Sequence, residues 1–528
     1  MKRNPLNIFT SILLFCMLTS CLQKEANKVK IAPTYILSIS AVENSKAPAL
    51  QSFSHGISGD EWLLFAGRTN SENDNGGLHD IFNGNYANTS FLPPSFNDSL
   101  FVYNSKTNEK PISMHFKTVI EKMNEQCFEK IGEMTIPCIE MRGFLNEHLT
   151  IFRNSNALVK QDKDYLYVVG GYGAPVNNVN TQNYLTFNQV ARINIPNMIK
   201  LIKGENLSLA NLKSLISIGK NKNLISTGGE LYIFDDTLYL AGGHNFTFTS
   251  QKYVDAVYPF TVSSSKKPYQ LNINIKDTIS DATSPSLKGT DATSIFRRRD
   301  GPITPNFYKV NNQIKKGLTF YTGVFRPDST VIKNKDTTNY HLAWNNAIYV
   351  HPKKIVNSKK YTYDSNYNQN NFNVYSCPSF VLFDSESETL HTYLLGGIGD
   401  GKRAAVGHLS GFTNTGVHIK MNIANEPLKS SHTILDYNIF NNKTTNKAPF
   451  YGAEATLIPN SNLPKSNNSN EIIDLNKAFN DTDADSIEIG YIFGGIEAFR
   501  SNPGSYGPRN SRASNKIWKV MLKKQIQD

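Results

Sequence analysis

Short apolar runs that end in glycine recur along the chain. An uninterrupted apolar run bounded by turn residues predicts a β-strand that is covered on both faces. Glycine at its end fits a tight turn or the close approach of a neighbouring backbone. Four runs end in a glycine pair and two keep only the second glycine, so the pattern predicts repeated sheets. The glycines are Gly67, Gly170, Gly171, Gly242, Gly243, Gly323, Gly396, Gly397, Gly494 and Gly495.

After the glycine motif and a loop comes a second strand that begins with polar residues, as in 97–103, 188–194, 254–260 and 514–520. This order resembles the kelch repeat, and the stretch 383–397 is its most typical copy. The resemblance implies an all-β, kelch-like β-propeller over roughly residues 35 to 522, with four-stranded blades around an axis. An open β-sandwich with glycine-rich turns is the alternative fold.

The spacing of the motifs predicts six blades. The second glycines stand at 67, 171, 243, 323, 397 and 495, so every interval exceeds the ~50 residues of a compact kelch repeat and includes long loops. Seven blades are expected only if the first interval hides a divergent copy, but that interval is predicted to contain a short helix near residues 117–129. The strand 34–40 is expected to pair with 517–521 and close the ring, which protects sheet edges.

The N-terminus has the layout of an export signal. Two basic residues precede an apolar stretch, Ile8–Leu18, that is shorter than the ~20 residues needed to span a bilayer. Residues 18–21, Leu-Thr-Ser-Cys, resemble the bacterial lipobox. The resemblance implies a signal peptide over 1–20, fatty acylation of Cys21, for instance with palmitate, a lipidated stem over 21–33, and the propeller over 34–528.

Lipidation at Cys21 predicts an envelope protein whose first partner is a membrane, most simply the outer membrane. Whether the propeller faces the periplasm or the cell surface is left open by the sequence. In an exported chain Cys127 and Cys138 are close enough in sequence to close a small disulfide loop. Cys377 is then left over, and we expect it to be buried in a strand.

The formal charge of +11 comes from scattered basic residues, which predicts solubility and no nucleic-acid partner. The run Arg297–Arg299, followed by Asp300, is expected to form salt bridges across a blade surface, with an anionic ligand as the alternative. Residues 481–485 carry carboxylates at calcium-loop spacing but lack the required Gly and Glu, so a hairpin turn is favoured. No cofactor and no metal site is predicted, because no nucleotide or zinc motif occurs.

In ligand-binding kelch domains the residue after Gly-Gly lies near the axis on the loop-rich face. Carried over by position, the resemblance implies a ligand face that includes Arg68, Tyr172 and His244 beside the apolar Val324, Ile398 and Ile496. Arg binds carboxylates, Tyr stacks on rings, and His donates or accepts a hydrogen bond.

Sialic-acid mutarotases are six-bladed, kelch-like propellers, and their chemistry needs a carboxylate beside an Arg. Glu454 and Glu497 are the candidates for that carboxylate, with Arg68 or the arginine run as partner. A single Glu is more often ion-paired than catalytic, and no set for copper oxidase chemistry is found. The sequence therefore favours a binding or scaffolding module for a glycan or protein over an enzyme, and it assigns no catalytic residue. An envelope-complex subunit without a small ligand is a third reading.

Overall fold

A computed structural model describes residues 34–69, 93–281, 294–326, 330–333, 336–339, 342–344, 346–368, 374–399, 411–435, 438–440, 450–467, 469–481, 485–499 and 511–525. Cys21, the signal peptide and the stem lie outside these residues. Within the described ranges no helix has both the length and the apolar character needed to cross a bilayer.

Six sheets follow one another along the chain, each with four main strands in antiparallel order. Blade one contains β2 (Ser54–Ser58), β3 (Glu61–Phe65), β4 (Ser99–Asn104) and β5 (Ile112–His115). Blade two contains β8 (Leu158–Asp162), β9 (Tyr165–Val169), β12 (Gln189–Asn194) and β13 (Ile216–Lys220). Blade three contains β14 (Thr227–Phe234), β15 (Thr237–Phe246), β17 (Val257–Ser264) and β18 (Leu271–Ile275).

Blade four contains β19 (Ile303–Val310), β20 (Gln313–Phe320), β25 (Ala347–Val350) and β26 (Tyr361–Asp364). Blade five contains β27 (Ser379–Asp384), β28 (Thr389–Leu395), β29 (Gly416–Asn422) and β30 (Ser430–Ile434). Blade six contains β31 (Thr456–Pro459), β33 (Ser486–Phe493), β36 (Ile517–Gln525) and, as its outermost strand, β1 (Thr34–Ala41).

Short strands and α-helices accompany the four main strands of the blades. The additional strands are β6 (Phe128–Ile131), β7 (Met134–Pro137), β10 (Tyr172–Gly173), β11 (Leu185–Thr186), β16 (Gln251–Tyr253), β21 (Val324–Arg326), β22 (Thr330–Lys333), β23 (Asp336–Asn339), β24 (Leu342–Ala343), β32 (Ile472–Asp474), β34 (Ile496–Ala498) and β35 (Ser511–Ala513). The α-helices are α1 (Phe116–Gln126), α2 (Ile139–Asn146), α3 (Ile195–Ile202), α4 (Leu209–Leu215) and α5 (Leu475–Asn480).

The N-terminal strand closes the propeller as predicted. β1 pairs with β36 along its whole length, from Thr34 opposite Gln525 to Ala41 opposite Trp518. Because the first strand of the described residues completes the last sheet, blade six joins both ends of the propeller. The six-bladed fold is confirmed, and the open sandwich is not what forms.

The helix predicted between the first two glycine motifs is present as α1. Its buried face, including Val119, Ile120 and Met123, packs into a core shared by blades one and two. The described part of this interval contains helices and a hairpin where a seventh blade would need another sheet. The part of the interval from α1 to α2 is therefore an insertion between blades one and two.

Six residues that lead into the inner strands join their backbones around the axis. The amide of each donates to the carbonyl oxygen of its counterpart in the preceding blade, and all six have left-handed φ angles between 51° and 67°. The series returns to its start, since Ser52 N donates to Glu454 O at 3.3 Å. We call this closed cycle the axial ring. Its members are Ser52, Asn156, Gly228, Asp300, Ser376 and Glu454.

The paired glycines lie where each blade meets the lead-in of the next. In blade two, Gly171 N donates to Ser226 O at 3.0 Å, and a Cβ on Gly170 would collide with that same carbonyl oxygen. Gly170 also has a φ of +68°, which disfavours other residues. The repeated glycine pair therefore marks the close contact between neighbouring blades, and we call this end of the propeller the Gly-Gly end.

Candidate functional site

Two carboxylates of the axial ring face the axis. Glu454 is held between its ring neighbours, because its Oε2 accepts from Ser52 Oγ at 2.6 Å and its Oε1 from Ser376 Oγ at 2.7 Å. These bonds join residues 402 and 78 positions apart in the chain. They fix the Glu454 carboxylate in one orientation at the centre of the molecule.

Asp300 supplies the second carboxylate. Burial raises its pKa, the adjacent Arg299 guanidinium lowers it, and the Glu454 charge raises it, with a net upward shift. Arg299 Nε lies 3.1 Å from Asp300 Oδ2. Asp300 Oδ1 occupies the space that a side chain at Gly228 would fill, so glycine at this ring position makes room for the carboxylate.

Arg299 connects this pair to His244. Its Nη1 lies 3.3 and 3.5 Å from the two His244 ring nitrogens, and Gln251 Nε2 lies 2.7 Å from His244 Nδ1. Burial and the Arg299 charge hold the pKa of His244 well below its ordinary value. The protonated form of His244 is therefore disfavoured beside the Arg299 guanidinium.

The other two arginines of the run are structural. Arg298 is fully buried, donates to Asn346 O at 2.7 Å and lies over the Trp344 ring. Arg297 lies over the Tyr253 ring at 4.3 Å. The expected salt bridges do not form at these two arginines, which have carbonyl and aromatic partners instead, and the ion pair of the run is the one between Arg299 and Asp300.

Beneath the ring lies a cavity of about 150 Å³, which we call the axial chamber. It is lined by ring residues together with Glu230 and Cys377, among others. Burial raises the pKa of Glu230 to about 7, against a lowering by Lys160, and burial raises the pKa of the Cys377 thiol to about 12. Cys377 stands just before β27 and not within a strand as expected.

A segment between β31 and β33 crosses below the chamber, and we call it the crossing segment (residues 460–481). Its strand β32 pairs in parallel with β27, the inner strand of blade five. Glu471 of the crossing segment forms an ion pair with Lys160 of blade two, and Asn470 Nδ2 donates to Asp162 Oδ1 at 3.1 Å. Blade six is in this way tied to blades five and two at the end opposite the glycine motifs.

The three residues predicted to form a ligand face are all buried, with Arg68 2%, Tyr172 4% and His244 5% exposed. Arg68 and Tyr172 each form a backbone bridge to the residue just before an axial-ring member, Gln51 and Ser155. They therefore form a layer around the ring, and His244 contacts Arg299 of the axis. Tyr172 packs against Tyr184 and Phe246 instead.

The two predicted glutamates have different surroundings. Glu454 belongs to the axial ring, whereas Glu497 is buried in blade six, where Arg512 Nη2 lies 2.8 Å from its Oε2 and Lys516 contacts its Oε1. Asp300, Ser52 and Ser376 were not singled out from the sequence as site residues. A polar or glycine residue at or just before the start of each inner strand is the signal that identifies them.

A second cavity, about 370 Å³ in volume, lies beside the axis at the Gly-Gly end, between loops of blades two and three. We call it the side cleft. Phe248 at its rim is 44% exposed. None of the lining residues is charged: Pro175, Asn178, Gln182, Asn183, Tyr184, Leu185, Thr247, Phe248 and Thr249.

The disulfide expected between Cys127 and Cys138 is present. Among the described residues, no group of three or more His, Cys, Asp or Glu side chains is arranged to hold a metal ion. Residues 482–484 of the acidic turn lie outside the described ranges.

No family model and no curated protein matches the sequence. Among solved structures, the chain is similar to that of a protein called YjhT, with 11% sequence identity, 91% of this chain and 100% of that chain covered, and a TM-score of 0.37. The sheets of the described residues themselves form a six-bladed β-propeller. The chemistry of the axis and the side cleft follows from this chain's own residues.

Proposed function

We propose that this chain is a membrane-tethered envelope protein that binds a neutral glycan in the side cleft. The carrying observation is the composition of that cleft, where amide and aromatic side chains meet without a charged group. Amides both donate to and accept from sugar hydroxyls, and an aromatic face covers the apolar C–H face of a sugar ring. The volume also falls within the ~300–1,000 Å³ typical of small-ligand sites.

Two amides of the cleft have unused bonding capacity. The side chains of Asn178 and Gln182 make no hydrogen bond to another described residue, whereas Asn183 Nδ2 donates to Asn178 O at 3.5 Å. Phe248 N donates to Tyr184 O at 3.2 Å, which fixes the rim of blade three to the loop of blade two. The aromatic rim is thus held by backbone contacts while its polar neighbours are available to a ligand.

Binding is tested with an array of neutral oligosaccharides followed by calorimetric titration of the best ligand. Phe248→Ala is expected to weaken binding at least ~10-fold, because an exposed anchor contributes about that much when it stacks. Ile355→Ala, which removes another exposed apolar side chain (69%), is the matched control and should bind as wild type does. Equal affinity of Phe248→Ala and wild type would contradict the proposal. Loss of a captured protein in Phe248→Ala, with no glycan bound by wild type, would favour a protein partner.

Acid–base catalysis on an acidic sugar, as in the mutarotases, is the second candidate, and one specific observation favours it. Asp300 and Glu454 are two carboxylates in different environments, with Arg299 beside them to bind a ligand carboxylate. Opening a sugar ring needs one group that donates a proton to the ring oxygen and another that accepts one from the anomeric hydroxyl, and such a pair can do both.

The two candidates are separated by an NMR assay of anomer exchange on sialic acid. If the axis is catalytic, wild type accelerates exchange and Asp300→Asn abolishes the acceleration. No acceleration by wild type leaves the glycan-binding function alone. Acceleration that survives Asp300→Asn would place any catalysis elsewhere.

The tether rests on the lipobox resemblance at Cys21. Labelled palmitate is expected to enter wild type and not Cys21→Ser. Absence of label from wild type would remove the tether while leaving the glycan site untouched.

A further inference from the structure

The insertion between blades one and two carries a hairpin whose two ends are joined by a disulfide. β6 and β7 pair from Phe128 opposite Pro137 to Ile131 opposite Met134, and Cys127 and Cys138 flank them. Both cysteines are buried in the core shared with the helices. We call residues 127–139 the stapled hairpin. It is a rigid projection, because its base is fixed covalently and by packing.

The stapled hairpin exposes apolar side chains that a monomeric surface normally covers. Phe128 is 45%, Ile131 55%, Met134 66% and Ile139 68% exposed. Among the described residues these four are a third of all large apolar side chains with such exposure, and they lie within twelve positions of the chain. An apolar cluster of this kind marks a surface that contacts a protein or a membrane.

The N-terminal tether reaches the propeller at the end opposite the glycine motifs. Thr34 pairs with Gln525 at the end of β36. The start of β36, Ile517, pairs with Phe493, which is followed directly by Gly494. The chain therefore enters the propeller at the far end from the Gly-Gly motifs.

The stapled hairpin is at that same end. Its Glu129 forms an ion pair with Lys213 of α4. The helix leads into β13, where Ile216 pairs with Ile193 of β12, and Ile193 pairs with Leu166 near the start of β9. β9 runs from this end towards its glycine pair, so the hairpin base and the entry of the chain share one side of the propeller.

The charges around the hairpin are balanced. Glu129 is paired with Lys213, and Glu140 with Lys267 at 2.7 Å. Lys130 and Glu133 near the turn carry opposite charges. Contact with a membrane would then depend on the apolar side chains and not on anionic lipids.

We propose that the stapled hairpin inserts its apolar tip into the surface of the membrane that holds the lipid anchor, so that the Gly-Gly end points away from the bilayer. This inference rests on the lipid anchor at Cys21 that is part of the proposed function. The twelve residues 22–33 span at most ~40 Å, so the end where β1 begins must stay close to the lipid. Among the described residues at that end the hairpin carries the densest group of exposed apolar side chains, and Ile36 at the start of β1 is also 49% exposed, which favours the bilayer over a soluble partner.

The test uses tryptophan quenching in the full chain. The three native tryptophans, Trp62, Trp344 and Trp518, are at most 5% exposed, so an added one reports its own surroundings. Met134→Trp, in phosphatidylcholine vesicles with brominated acyl chains, is expected to lose at least half of the added emission. Val179→Trp places the probe on a 42% exposed residue at the Gly-Gly end and should not be quenched.

The outcomes distinguish failure of the hairpin proposal from failure of the lipid tether. Palmitate incorporation without quenching of Trp emission in Met134→Trp would overturn the hairpin proposal and leave the tether. Quenching without palmitate would remove the tether and leave the hairpin. A concentration-dependent blue shift of this emission without lipid, and no quenching with lipid, would assign the hairpin to a second copy of the chain and contradict the membrane contact. Equal quenching of both probes would also contradict it.

Discussion

The two ends of this propeller share one repeat but differ in what is added to it. At the Gly-Gly end the chain places the Glu454 and Asp300 carboxylates and the uncharged side cleft. At the opposite end it adds the crossing segment beneath the axial chamber and the stapled hairpin at the rim. The repeat thus builds the frame, while the lead-ins and insertions place the proposed ligand site at one end and the exposed apolar hairpin at the other.

Substitution of a paired glycine is expected to have the largest effect on the free energy of unfolding. Gly170→Ala should cost at least ~3 kcal/mol, because the new Cβ collides with the Ser226 carbonyl oxygen of the next blade. Gly59→Ala has a similar positive φ but open space around it, so it should cost only ~1 kcal/mol. Urea unfolding measures both free energies. Equal losses would contradict the close-contact role of the glycine pair.

The axial chamber is expected to make stability depend on pH through Glu230. Its folded pKa of about 7 lies above the ordinary 4.5, so the folded state binds more protons and stability falls as pH rises from 4.5 through 7. The loss amounts to at most ~3 kcal/mol. Glu230→Gln should remove this part of the slope in unfolding measured from pH 4.5 to 8, whereas Glu133→Gln, exposed on the hairpin, should not. If Glu230→Gln leaves the pH dependence of the unfolding free energy unchanged, burial in the axial chamber does not raise the pKa of Glu230.

The crossing segment is tested by breaking its contact with blade two. Glu471→Ala leaves Lys160 without its partner in a largely buried place and should cost ~2 kcal/mol. Glu426→Ala breaks a cross-blade pair whose carboxylate is 68% exposed, and it should cost no more than ~0.5 kcal/mol. If the two losses are alike in thermal unfolding, the crossing segment is not anchored below the chamber.

The stapled hairpin should give the smallest stability effect. Ile131→Ser changes a side chain that is 55% exposed, so the free energy of unfolding should move by less than ~0.5 kcal/mol. Vesicle contact, measured by the quenching assay in the Met134→Trp background, should fall by contrast. A large loss of stability would mean that the tip packs against the propeller.

The propeller could be predicted from the sequence because the residues that determine it are close together in the chain. Apolar runs, glycine pairs, the closing strand and the neighbouring cysteines each carry a pattern that physics restricts to few structures. The helix near residues 117–129 likewise appears as α1, from Phe116 to Gln126. These elements depend on a few adjacent residues and on the close approach of blades.

The candidate site was less predictable, because its partners meet only after the propeller closes. The Glu454 carboxylate accepts a hydrogen bond from Ser52, which is 402 positions away in the chain. Glu497 forms ion pairs with Arg512 and Lys516 of its own blade. Both glutamates are isolated in the sequence. Each axial-ring residue precedes the second glycine of its blade by 15 positions in blades one to three, but by 23, 21 and 41 positions in blades four to six, so the spacing identifies only half of the ring. Arg68 and Tyr172 are both buried, and Tyr172 packs against Phe246 of the next blade, a contact that no local sequence pattern indicates.

A fluorescence titration of Phe248→Trp with neutral oligosaccharides tests the side cleft most directly, with Ile355→Trp as reference. The account predicts a saturable change in emission for the probe at 248, and none for the probe at 355, an exposed position that is not part of the cleft lining. No response of the probe at 248 to any glycan that the chain retains, or the same response from both probes, would contradict ligand binding in the side cleft.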